Sequence, residues 1–214
     1  YQPQYEKRGL PGAVYEIIAA EDIITQDGTV RNQKDEVVDT VTTDATGTAV
    51  SRELYLGKYE VREITAPHGM VLNPEPHCVE LVYAGQNVAV TETATSFENE
   101  RQKVEISLAK SIEQNERFGI GNNGEMKNIS FGLFAAEEIV SASGTSIPAD
   151  GLVEIISLNE DGTAKVKTDL PLGSYYVQEL ATDSHYKLCD TKYPVTFAYA
   201  GQDTAVVKIA ANDG

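Results

Sequence analysis

Tryptophan is absent from the 214 residues, and cysteine and methionine occur only twice each. Two cysteines, Cys78 and Cys189, cannot build a disulfide framework, and they lack the CxxC spacing of a redox or zinc site. They are expected as two buried or half-buried free thiols. The three histidines, His68, His77 and His185, form no HxxxH or HExxH pair that would set two imidazoles on one metal. His77 adjoins Cys78, but neighbours on a strand point to opposite faces. No metal and no cofactor are therefore expected. Basic residues are also scarce, 17 against 33 acidic ones for a formal charge of −16, which opposes binding to a phosphate backbone. Nucleic acid is excluded as an expected partner, and the acidic excess reads as a solvated surface.

Long apolar runs are missing too. Nothing approaches the ~20 residues of a membrane helix, so no membrane insertion is expected in this segment. Tyr1-Gln2-Pro3-Gln4 lacks the basic and apolar regions of a signal peptide, so any export signal or wall anchor is expected outside the segment. There is no GxSxG elbow, Walker loop or EF-hand pattern. Gly119-Ile120-Gly121-Asn122-Asn123-Gly124 fits GxGxxG, but it is expected as a polar hairpin loop between strands, with no following helix to receive a pyrophosphate.

What is present is a tandem repeat. Leu56-Gly57-Lys58-Tyr59-Glu60-Val61-Arg62-Glu63-Ile64 matches Leu172-Gly173-Ser174-Tyr175-Tyr176-Val177-Gln178-Glu179-Leu180 at an offset of 179 − 63 = 116. The same offset carries Tyr83-Ala84-Gly85-Gln86 onto Tyr199-Ala200-Gly201-Gln202, and Ala19-Ala20-Glu21-Asp22-Ile23 onto Ala135-Ala136-Glu137-Glu138-Ile139. Two copies with so long a period exclude a solenoid and predict two domains, residues 1–101 and 102–214, with the charged stretch Glu98 to Lys103 as the seam. Period-two segments such as Val104-Glu105-Ile106-Ser107-Leu108, broken by Asp27-Gly28, Asp161-Gly162 and Asn123-Gly124, predict an all-β fold of immunoglobulin-like sandwiches. The Ala19–Ile23 block fits either a helical turn or a strand end entering a loop.

Alternation also aims some charged residues inward. Val104, Ile106 and Leu108 define an apolar face that Lys110 continues. Tyr59, Val61 and Glu63 share one face, and Tyr175, Val177 and Glu179 repeat the arrangement. Burying an isolated ammonium or carboxylate is costly, so such groups are paired, neutralised or functional unless the strand end reaches solvent.

These residues resemble a known family. Leu10-Pro11-Gly12-Ala13-Val14-Tyr15, the run from Leu56 to Gly69 and Phe97-Glu98-Asn99 look like the LxGAxF, GxYxxxExxAPxGY and FxN signatures of Cna-B domains, the prealbumin-like modules of SpaA-type pilins and Gram-positive adhesins. The second copy departs from the pattern at Ala181-Thr182-Asp183-Ser184-His185-Tyr186 and at Asn128-Ile129-Ser130-Phe131. The resemblance implies a spontaneous isopeptide bond between Lys110 and Asn212, with Glu179 shuttling protons. Desolvation makes a neutral amine and a protonated acid accessible, and folding holds the reacting groups together. Strict alternation from Val207, Ile209 and Ala211 favours Asp213 as acceptor, whereas Asn212 aligns with Asn99 by motif and a bulge would restore its direction. In the first copy Glu63 and Asn99 are present, but no apolar strand bearing a lysine precedes Leu10, and the first strand is expected to be missing. Lys7, among Tyr1, Pro3 and Tyr5, is a poor substitute.

The expected protein is thus not an enzyme but a structural or adhesive module of a Gram-positive pilin, stalk or adhesin. Its expected place is extracellular and wall-attached. Its partners would be neighbouring domains of the same longer chain and a host extracellular protein or glycan. Alternatives are a host-receptor or glycan-binding sandwich without isopeptide chemistry, and a hydrolase accessory domain.

Overall fold

The computed structural model describes residues 1–141 and 144–211. The turn pairs act where expected: Gly28 (φ 83°) and Gly162 (φ 84°) adopt the left-handed conformation that glycine tolerates without a Cβ penalty. Asp27 and Asp161 accept hydrogen bonds from Thr29 N (3.1 Å) and Thr163 N (3.0 Å), locking each turn.

The first copy contains β1 (Val14–Ala19), β2 (Ile23–Ile24), β3 (Val30–Asn32), β4 (Val37–Thr42), β5 (Gly57–Thr65) and β6 (His77–Leu81). They form an antiparallel sheet in the order β4-β1-β5-β6 and a β2-β3 ribbon. The second copy contains β7 (Lys103–Ala109), β8 (Ser130–Ala135), β9 (Ile139–Val140), β10 (Ser146–Ile147), β11 (Leu152–Ser157), β12 (Thr163–Lys165), β13 (Gly173–Ala181), β14 (Tyr193–Phe197) and β15 (Val206–Ala210). Here the sheet β11-β8-β13-β14 is joined by a second one, β12-β7-β15, and by a β9-β10 ribbon. In both copies the Ala-Ala-acidic block is a strand end entering a loop, since β1 and β8 stop at its first alanine and β2 and β9 begin at its isoleucine.

Two compact units result. One comprises Tyr1–Glu6, Gln102–Ala200 and Ala205–Gly214, the other Lys7–Arg101 and Gly201–Thr204. Within the first of these, Gln2 Nε2 donates to Val153 O at 3.2 Å and Tyr5 OH to Asp169 O at 2.8 Å. Within the Glu98 to Lys103 stretch Glu98, Glu100 and Lys103 are exposed, whereas Gln102 is 2% exposed and accepts the Ala200 N–H at 2.9 Å.

The cores differ as the sheets do. The second copy buries a cluster running from Ile106 and Leu108 on β7, through Leu133, Leu170, Tyr175 and Val177, to Val195 and Phe197. In the first copy the corresponding cluster is Ile17, Ala19, Ile23, Val38 and Tyr59.

Two expectations need correction. Cys78 is exposed, because alternation along edge strand β6 turns it outward while His77 and Val79 are half-buried; Cys189 is half-buried. The Gly119–Gly124 loop is not a simple hairpin, since short 3-10 helices at Glu116–Phe118 and Glu125–Asn128 flank it. Glu125 is buried, and its carboxylate accepts the N–H groups of Gly121 (2.9 Å) and Asn123 (2.8 Å). The backbone donors that a phosphate-binding loop would offer are thus already occupied by a side-chain anion.

The two segments where the second copy leaves the family pattern meet in space. Asn128 Nδ2 donates to Asp183 Oδ2 at 2.6 Å, where the 116-residue offset places Gly12 and Pro67 in the first copy. Asp183 also accepts the His185 backbone N–H at 3.1 Å, and these bonds, that from Asn128 foremost, hold its carboxyl below the usual range.

Candidate functional site

Lys110 immediately follows β7, whose face alternates as the sequence predicts: Ile106 is 1% and Leu108 5% exposed, with Val104 half-buried. The Lys110 backbone N–H donates to Gly162 O at 2.8 Å, which fixes where the side chain departs. Glu179 lies near the end of β13 on the same face as the buried Tyr175 and Val177. Its carboxylate lies 3.7 Å from Lys110 Nζ, and the two side chains are 2% and 30% exposed respectively. Glu179 Oε1 is buried without a hydrogen-bond partner among the described residues. A desolvated carboxylate oxygen with no described donor, beside an amine, is costly for a purely structural ion pair.

β15 pairs with β7 in parallel, Ile209 opposite Ile106 and Ala210 opposite Ser107, and Ala211 N donates to Ser107 O at 2.8 Å. The first and last strands of the second copy are therefore direct neighbours, both running toward the end at which Lys110 sits. The two candidate acceptors, Asn212 and Asp213, lie outside the described residues.

The first copy arranges the same glutamate differently. Glu63 is 2% exposed, and its Oε2 accepts Asn73 N at 2.7 Å and Asn99 Nδ2 at 2.8 Å, while Tyr15 OH donates to Oε1 at 3.4 Å. Asn99 Nδ2 also donates to Val71 O at 3.0 Å. Glu63 and Asn99 are thus brought together, with no lysine paired to Glu63 among the described residues. Lys7 pairs instead with Glu98, both side chains being highly exposed, 81% and 75%. Burial, together with the adjacent Glu63 carboxylate, pushes the Tyr15 phenol up to about 12.

Tyr15 and Asn73 are hydrogen-bonding neighbours of Glu63 that alternation does not reveal. The 116-residue offset does hold a signal, because it replaces Tyr15 by Phe131 and Asn73 by Cys189. Tyr15 sits opposite Glu63 and Phe131 opposite Glu179 in the equivalent β1-β5 and β8-β13 pairings. Of these two donors only the Tyr15 phenol is deleted by the replacement, since Asn73 donates through its backbone N–H, which a cysteine also carries. Among the described residues, no group of three or more His, Cys, Asp or Glu side chains could hold a metal. No helix among them is long and apolar enough to cross a membrane.

Comparison with known proteins accords with this architecture. The SpaA prealbumin-like fold domain matches residues 3–96 and again 118–213. The trypsin-resistant surface T6 protein of Streptococcus pyogenes serotype M6 is 26% identical over 147 residues, covering 66% of this chain and 26% of that protein. The chain therefore spans about a quarter of the length of that relative. Among solved structures, the Bacillus anthracis TIE protein superposes with a TM-score of 0.59 at 22% identity, covering 96% of this chain and 31% of the other. A streptococcal ancillary pilin aligns over 96% of this chain and 59% of its own, at 19% identity and a TM-score of 0.32. With two matches that together span most of its length, the chain belongs to the SpaA family of prealbumin-like domains, which it carries in tandem.

Proposed function

We propose that this chain is a non-enzymatic, load-bearing module of a Gram-positive surface protein of the pilin, stalk or adhesin kind. In this reading residues 1–101 and 102–214 are its domains, and the second is closed by a self-formed isopeptide bond from Lys110 to Asn212, or to Asp213 in its place. The observation that carries the reading is the 3.7 Å approach of Lys110 Nζ to a buried Glu179 whose Oε1 has no hydrogen-bond partner among the described residues. Glu179 takes a proton from the attacking amine and delivers one to the departing group, while the fold supplies the effective concentration. Nζ forms a C–N bond to the acceptor carbonyl carbon, and ammonia leaves from asparagine or water from aspartic acid. Each molecule reacts once, so this is maturation rather than turnover.

The family and the surface relative support surface placement and assembly with neighbouring domains of a longer chain. A covalent link between adjacent parallel strands carries tension past the hydrogen-bond ladder. Intact mass spectrometry tests the bond: condensation lowers the mass by about 17 Da for Asn212 and about 18 Da for Asp213, one amide being formed between positioned groups. An unshifted mass for the folded protein overturns the isopeptide reading.

A further inference from the structure

Between Lys110 and β8 the chain makes a return, residues 111–128, that contains two short 3-10 helices and no strand. Only Glu125 in it is buried, so little apolar burial fixes the stretch that begins at the lysine. Glu179 also stands at a margin. The β8-β13 register shifts between Glu179 and Ala181, where β13 ends, and such a shift changes the direction of nearby side chains. Both margins are held by polar bonds at the turn that follows β13.

Asp183, 7% exposed, is the centre of that set. Its Oδ2 accepts Asn128 Nδ2 at 2.6 Å, its Oδ1 accepts His185 N at 3.1 Å, and His185 Nδ1 lies 2.6 Å from the same oxygen. Tyr186 N donates to Asp183 O at 3.0 Å, and Tyr186 OH donates to Glu113 O at 2.7 Å. Glu113, just past Lys110, is thereby bonded to the turn just past Glu179, and Asn128 ties the far end of the return to the same turn.

The turn itself does not need these side chains. In the first copy Met70 N donates to Pro67 O at 3.0 Å, the same backbone turn, while the 116-residue offset puts Gly12, Pro67 and Met70 where Asn128, Asp183 and Tyr186 stand. None of those three side chains carries an N–H, an O–H or an oxygen acceptor. The added bonds belong to the copy whose glutamate faces a lysine, Lys110 Nζ lying 3.7 Å from Glu179.

We propose that Asn128, Asp183 and Tyr186 form a latch that positions the Lys110 amine against Glu179 for condensation. They act through the backbone on either side of the pair and are positioning residues, not catalytic ones. The inference rests on the isopeptide reading above. Releasing the latch lets the stretch after Lys110 and the end of β13 move independently, which lowers the effective concentration that drives the step.

For the test, the full chain is recovered unfolded from inclusion bodies, before condensation, and refolded from urea. Circular dichroism follows folding and intact mass follows condensation. The quantity compared is the rate of mass loss per folded molecule, which a purely structural contribution to folding leaves unchanged. Tyr186→Phe should slow it about fivefold, the weight of one hydrogen bond. Asn128→Asp, which sets two carboxylates against each other without changing size, should slow it about tenfold or more. Adding Asp183→Asn to Asn128→Asp exchanges donor and acceptor and should bring the rate back to within about twofold of the original. Should Asn128→Asp fail to fold, Tyr186→Phe alone decides. If Tyr186→Phe and Asn128→Asp condense at the original rate, or the exchanged pair stays as slow as Asn128→Asp, the latch is overturned while the isopeptide reading stands. An unsubstituted chain that folds without losing about 17 or 18 Da overturns the isopeptide reading, and the latch with it.

Discussion

A buried glutamate can be surrounded by donors or left with few, and the two copies differ in this at the same residue of the equivalent strands β5 and β13. Glu63 accepts from the Tyr15 phenol, the Asn73 backbone N–H and the Asn99 carboxamide, whereas Phe131 replaces the phenol opposite Glu179. Donors to a carboxylate stabilise its charged form and oppose the protonated acid that condensation requires. Phe131→Tyr should restore a phenol opposite Glu179. A hydrogen bond to a charged group is worth about 1.5 kcal/mol or more, so condensation should slow about tenfold, read as the rate of mass loss after refolding. Unchanged kinetics in a folded variant would count against the role of Glu179. Tyr15 gives a second test. Its phenol is raised from 10.0 to about 12, so the folded state favours the protonated form. The stability this contributes is complete below pH 10 and is lost as pH rises toward about 12. Ultraviolet titration of the protein against Tyr15→Phe should show one tyrosine ionising late, and the alkaline destabilisation of the first copy should diminish in the variant.

At the scale of elements, β7 and the turn behind it decide where the amine sits. Gly162 has φ 84°, and a Cβ there would approach Lys110 O to 2.1 Å. Gly162→Ala should displace the backbone of Lys110, leaving the fold largely intact while much of the protein stays uncondensed. Circular dichroism and intact mass together check this, and full condensation in the variant would show that the turn does not position the lysine. The alternation of β7, β5 and β13 is legible in the sequence because a strand exposes and buries every second side chain. The 3-10 turns at Glu116–Phe118 and Glu125–Asn128 are not, since their stability comes from Glu125 folding back onto Gly121 and Asn123 rather than from any periodic pattern. The Asn128–Asp183 bond escapes for a similar reason: each residue alone reads as a lapse from a motif, and only their contact makes them a pair.

For the whole molecule, the proposed bond would close 212 − 110 = 102 residues between first and last strands of the second copy. By analogy with a disulfide of that span, it restricts the unfolded chain by roughly 4–5 kcal/mol, and no reductant removes it. Lys110→Arg should keep a cation near Glu179 but abolish the mass loss. Denaturation under reducing conditions should then show the second copy losing roughly that amount of stability, while the first copy is unaffected. Equal stability of the two proteins would remove the mechanical argument for the bond. The first copy, with its smaller buried cluster, should unfold first in either.

The repeat, its period, the all-β class and the inward direction of Lys110, Glu63 and Glu179 were determined by the sequence itself. Side-chain alternation and turn chemistry are local, and a duplicated pattern is visible wherever it recurs. Tertiary structure alone decided that β7 and β15 are parallel neighbours, and that Glu63 is met by several donors while Glu179 Oε1 has none among the described residues. It also decided that Cys78 faces outward. These are properties of residues far apart in the chain. Whether a buried polar atom is satisfied depends on which distant donor the packing brings within 3 Å, and no spacing along the sequence encodes that distance.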